Sequence, residues 1–166
     1  KSDPIVFTKV STIGYNNDIT IVFDGNNYKL IIKLTKRAPG KVYANYYPIP
    51  SDGQILLKLD DGSIVELTRT AGVEESKESV NVSAMGYTCN YSSVCNMYDI
   101  SDMTPLLQHA ITKVRVELTN KEVQDFEITK AKEQKRILKE FNEQYQAVRL
   151  RLKDQQKKGN DLKLGF

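Results

Sequence analysis

Few of the 166 residues in this chain are equipped for chemistry, and their spacing narrows what that chemistry is. Cys89 and Cys95 are separated by Asn90-Tyr91-Ser92-Ser93-Val94, a stretch of turn-forming character. The alternating run Val80, Val82, Ala84 leads in, and Cys95-Asn96-Met97-Tyr98 leads away. Pairing those runs as strands sets the thiols opposite each other across a hairpin mouth. A Cys89–Cys95 disulfide there adds about 2–2.5 kcal/mol by the chain-entropy argument. The bridge is the favoured reading, with two buried free thiols as the alternative. A metal is not expected, because structural zinc takes four Cys/His ligands and only His109 could help the two cysteines.

His109 follows a short helical segment, where the helix dipole mildly favours a cation. A general base needs a nucleophile or an orienting carboxylate beside it, and no motif supplies one. A structural or surface His is the expectation. No G-x-S-x-G, H-E-x-x-H, Walker-type or dinucleotide glycine motif occurs. The Asp-Gly pairs at 24–25, 52–53 and 61–62 do not continue into a calcium loop, so turn chemistry accounts for them. Carboxylates suited to hydrolysis are set by separation in space, and the sequence recommends no particular pair. Tyr43, Tyr46 and Tyr47, with Asn45 among them, are the weak candidates for a ligand platform; packing at a strand edge is the alternative. The absence of Trp weighs against a sugar. Asn81-Val82-Ser83 and Asn90-Tyr91-Ser92 fit the glycan acceptor pattern, a weak signal.

Composition sets the frame. The apolar share is 40% and the charged share 27%, enough to bury a core in water. No apolar run exceeds three residues, and one of the longest, Leu30-Ile31-Ile32, ends at Lys33, so no transmembrane helix is expected. Net charge is +3. Residues 1–110 carry 10 basic and 12 acidic residues, and residues 111–166 carry 14 and 9. The late excess reads as a solvated helix end, not as a nucleic-acid or membrane contact. A start at Lys1-Ser2-Asp3-Pro4, without Met, is expected of a processed or truncated chain.

The elements that must position these residues come from periodicity. Ile5 to Ser11 reads as a first strand, and Gly14 to Asp18 as a loop. Two hairpins are signalled: Ile19–Phe23 with Tyr28–Thr35 around Asp24-Gly25-Asn26-Asn27, and Ile55–Leu59 with Ile64–Thr68 around Asp60-Asp61-Gly62-Ser63. Ser101 or Thr104 caps a short helix with Pro105 in its first turn. Ile111 to Leu118 alternates as a strand, and Val123 to Ile128 returns after Asn120-Lys121. Residues 129–153 form an amphipathic helix with an apolar seam of Ala131, Leu138, Phe141, Tyr145, Val148 and Leu152. Gly159 is its expected stop, with a tail from Asp161.

Tyr98-Asp99-Ile100-Ser101, Leu106-Leu107 and Ile111 to Glu117, followed by a strand and a long charged helix, resemble the C-terminal part of uncharacterised exported or lipid-anchored bacterial proteins. The resemblance covers roughly the last 70 residues, rests on pattern, and implies an extracytoplasmic address without evident enzymatic activity.

The expectation is one α+β domain over 1–166, with flexible ends at 1–4 and 159–166. Its sheet is mainly antiparallel, sandwich-like or open, and a long C-terminal amphipathic helix covers it. The expected function is a non-enzymatic extracytoplasmic (periplasmic, cell-surface or secreted) module that binds or scaffolds an unknown protein or glycan partner, without cofactor. The alternatives are a hydrolase of polysaccharide or peptide with an unrecognised carboxylate pair, and an assembly subunit forming homo-oligomers through the 131–152 seam.

Overall fold

Strand by strand, alternation of apolar and polar residues decides which side is buried. The computed structural model describes residues 5–10, 15–39, 54–69, 78–84, 87–117 and 121–164. They form an α+β fold, one open antiparallel sheet with a long C-terminal helix. The strands are β1 (Ile5–Val10), β2 (Tyr15–Phe23), β3 (Tyr28–Pro39), β4 (Gln54–Leu59), β5 (Ile64–Arg69), β6 (Glu78–Ala84), β7 (Tyr87–Asp99), β8 (Ile111–Glu117) and β9 (Val123–Glu127). The helices are α1 (Thr104–Gln108), between β7 and β8, and α2 (Ala131–Leu164). Spatial order is β1-β2-β3-β7-β5-β4-β8-β9, and β6 pairs with the first half of β7. The open form of the two expected sheet arrangements is the one observed.

Register aligns the apolar sets. Ile5, Ile19, Ile32 and Asn96 stand side by side across β1, β2, β3 and β7, all buried. Leu67, Ile55 and Val116 do the same across β5, β4 and β8. Each such aliphatic side chain contributes about 1.5–3 kcal/mol by leaving water. Glycine is required at two turns: Gly25 and Gly62 take φ values of 104° and 87°, closed to most side chains. Asp24 and Asp61 close the same turns by accepting backbone N–H bonds from Asn26 and Asn27, and from Ser63.

Helix α2 lies against α1, β1, β2 and β8. Its buried side chains are Ile137, Phe141 and Val148; Leu138, Tyr145 and Leu152 are half-buried, and Ala131 is exposed. A straight helix drifts about 20° per heptad against a strict seven-residue repeat. The stripe that touches the body therefore leaves Ala131 and takes in Ile137. Polar ties fix the helix in register: Gln134 Nε2 donates to the Ile128 carbonyl (2.6 Å) and Asn142 Nδ2 to the Leu107 carbonyl (2.9 Å). Arg136 donates to the Val6 carbonyl and pairs with Glu133 and Glu140.

Four expectations are corrected. Tyr15 to Asp18 is not a loop but the start of β2, because pairing with β1 (Val10↔Tyr15, Lys9↔Asn16) overrides the local turn preference. The cysteine hairpin does not form. Cys89 and Cys95 lie on the single continuous strand β7, whose hairpin partner is β6, closing at Ala84↔Tyr87. Six strand residues separate their backbones by about 20 Å, far beyond the roughly 4.4–6.8 Å between Cα atoms that a disulfide spans. Gly159 does not stop α2, which runs on to Leu164; Lys157 and Lys158 before it and Leu162 and Lys163 after it are good helix formers that offset one glycine. Neither Ser101 nor Thr104 caps α1: the carboxylate of Asp102 accepts from the Thr104 N–H at 2.8 Å instead.

Candidate functional site

The β2–β3 turn, the segment leading into α1 and the middle of α2 converge on one cleft of about 270 Å³. Phe23 and Tyr28 are cross-strand partners at the end of the hairpin, so their rings meet with centroids 5.1 Å apart. Tyr145 reaches down from α2 onto Tyr28, at 5.0 Å and 49° between planes. The guanidinium of Arg149, one turn along, sits 5.7 Å from the Tyr145 centroid. Burial, and then a hydrogen bond with the Tyr145 hydroxyl, push the Tyr28 phenol above its ordinary pKa. The Tyr28 ring therefore stays neutral and polar-tipped.

The opposite wall is polar. Asn26 and Asn27 come from the hairpin turn, and Ser101, Asp102 and Thr104 from the approach to α1, with Met103 and Leu107 behind them. The Asp102 carboxyl is held below its ordinary pKa by the backbone and side chain of Thr104. An ion-pair strut keeps the two walls in place: Lys29 binds Asp24 at 2.9 Å and Asp99, at the end of β7, at 3.4 Å. The Ile100 N–H donates to the Tyr28 carbonyl at 3.4 Å. Aromatic faces, amides, hydroxyls and one carboxylate are groups that orient a ligand.

A second grouping was invisible in the sequence. Pairing of Leu59 with Ile111 carries the β4–β5 turn up to the end of α1. His109 Nδ1 then lies 3.1 Å from Asp60 and Nε2 3.5 Å from Asp61. The orienting carboxylate that the sequence did not supply is thus present twice. These three could hold a cation, their ligand atoms lying within 4.8 Å of one another. All three are substantially solvent-exposed, and Asp61 is already engaged by the Ser63 hydroxyl and N–H, which hold its pKa down. Both imidazole nitrogens face carboxylates, so the ring turns neither toward a substrate. The grouping reads as a clip between α1 and the turn.

Tyr43, Asn45, Tyr46 and Tyr47 lie outside the described residues. Of the helix-seam residues read from the sequence, Tyr145 lines the cleft. Phe23 and Tyr28 were legible as aromatics flanking a strong turn, a signal that cross-strand pairing converts into a platform. Their meeting with Tyr145, more than a hundred residues away, needed the docking of α2. Among the described residues, no helix is long and apolar enough to cross a membrane. No protein-family model, no curated protein and no solved structure matches this chain. The β-rich body and C-terminal helix are the part of the resemblance that the fold carries.

Proposed function

We propose that this protein is a non-enzymatic extracytoplasmic binding module, and that the Tyr28–Tyr145 cleft receives one hydroxylated ring of a glycan. The observation that carries the reading is the convergence of three chain segments on an aromatic pair faced by amides, hydroxyls and a carboxylate. A tyrosine face matches the apolar face of a sugar ring, and the opposite wall matches its hydroxyls. A cleft of about 270 Å³ suits a single ring, so affinity for an isolated unit is modest.

Two observations favour binding over the alternatives. A hydrolase acting through a carboxylate pair needs an acid whose pKa is raised. Among the described residues, the carboxylates that depart from their ordinary values, Asp24, Asp61, Asp102 and Asp125, are all lowered. An assembly subunit working through the 131–152 seam needs that seam exposed, whereas Phe141 and Val148 are buried within this chain. The extracytoplasmic address rests on the resemblance, since the expected disulfide no longer supports it.

The test is a titration with a panel of neutral mono- and disaccharides, followed through the Tyr28 and Tyr145 ring resonances. A saturable shift with at least one sugar, lost in Tyr145→Ala, supports the reading. Shifts from no member of the panel, or shifts that persist in Tyr145→Ala, refute the glycan assignment.

A further inference from the structure

We propose that the face of the sheet turned away from α2 carries a second site, for a small monocarboxylate on a hydrocarbon tail. Core-facing Ile55, Leu57 and Leu59 alternate along β4 with Leu56 and Lys58, which point to the side away from the helices. There Leu56, Lys58, Gly62, Ile64, Lys113 and Arg115 line a hollow of about 250 Å³. A Cβ added at Gly62 would meet nothing within 4 Å.

Every charged side chain lining this hollow is cationic, and register explains why their charge is not evenly cancelled. Lys113 and Arg115 are drawn toward β9: Arg115 grips Asp125 at 2.7 and 2.8 Å, and Lys113 holds Glu127 at 2.8 Å and Asp125 at 3.4 Å. Lys58 stands directly across the ladder from Lys113, a like-charge opposition that sheets ordinarily avoid. Among the described residues, Lys58 has no ion pair. A carboxylate seated between Lys58 and Lys113 relieves that repulsion through charge-assisted hydrogen bonds. On its other side Lys58 pairs with Ile64, 58% exposed, next to half-buried Leu56. An exposed β-branched side chain beside an unpaired cation fits one ligand that is both anionic and apolar. A bare inorganic anion leaves Ile64 and Leu56 wet, and a neutral amphiphile leaves Lys58 unanswered.

The experiment titrates the full chain with octanoate, octanamide and acetate, each below micellar concentration, following the methyl resonances of Leu56 and Ile64. The expected result is saturable binding of octanoate, at least tenfold weaker for octanamide and for acetate. Lys58→Gln weakens octanoate at least fivefold, and Ile64→Thr, an independent exposed variant, weakens it as well. Equal binding of octanamide, equal binding of acetate, indifference to both substitutions, or no saturation with octanoate overturns the proposal. The site shares no residue with the Tyr28–Tyr145 cleft, so either can fail alone.

Discussion

Replacing Asn96 by Val should make this protein more stable. Asn96 sits on β7 between buried Ile32 on β3 and the junction with β5, its side chain wholly inaccessible to solvent. Among the described residues, neither its amide nitrogen nor its amide oxygen has a hydrogen-bond partner. Leaving a buried polar group unsatisfied costs about 1–3 kcal/mol. A Val at the same position suits a strand and buries its methyls for about 1.5 kcal/mol. Against these gains stands imperfect fit in a packed interior, about 1–2 kcal/mol. The net is stabilisation of about 2 kcal/mol, or roughly 4–8 °C in Tm for a chain of this size. Urea unfolding followed by far-ultraviolet circular dichroism measures it: the midpoint should rise with the slope unchanged. An unchanged or lowered midpoint would show that the amide is satisfied in solution and would defeat the reasoning.

Two further outcomes are expected. Hydrogen bonds from Arg115 lower the Asp125 pKa from 3.8 to about 2, so this carboxylate stabilises the fold above the ordinary Asp range and loses that contribution as pH falls from about 4 to 2. Allowing for solvent screening, the contribution is about 1 kcal/mol, and Asp125→Asn should flatten the stability–pH profile over that window; an unaltered profile would deny the pair its role. Unfolded, unreduced protein should titrate with two reactive thiols, one each from Cys89 and Cys95; an oxidised pair would break the continuity assigned to β7.

Local chemistry made much of this architecture legible, and distance in sequence hid the rest. The turns at Asp24-Gly25-Asn26-Asn27 and Asp60-Asp61-Gly62-Ser63 were readable because positive φ and Asx acceptors are properties of a few adjacent residues. The same holds for β8, whose alternation places Val114 and Val116 inward and Lys113 and Arg115 outward. Beyond neighbours the reading failed in two ways. Asn90-Tyr91-Ser92-Ser93-Val94 has turn-like composition but lies within β7, where pairing to β3 on one side and β6 on the other outweighs propensity. The cleft and the His109 clip each join segments separated by scores of residues, through the docking of α2 on the β2–β3 hairpin and the β4–β8 ladder. Periodicity reports which face an element buries; it does not report which other element covers it.

Helix α2 makes the same point within one element. Its 34 residues span about 51 Å, yet its buried side chains end at Val148 and its half-buried ones at Leu152. Residues 153–164 are exposed throughout, including Leu162 and Leu164. An isolated helix of that length is marginal in water because nucleation is costly. Here the packed turns around Phe141 supply the nucleus, and each later residue needs only propagation. The seam that could have served a partner is spent on the chain's own sheet. The two recognition sites proposed above draw on the side chains of the aromatic cleft on the helix side and those of the cationic hollow on the opposite face of the sheet.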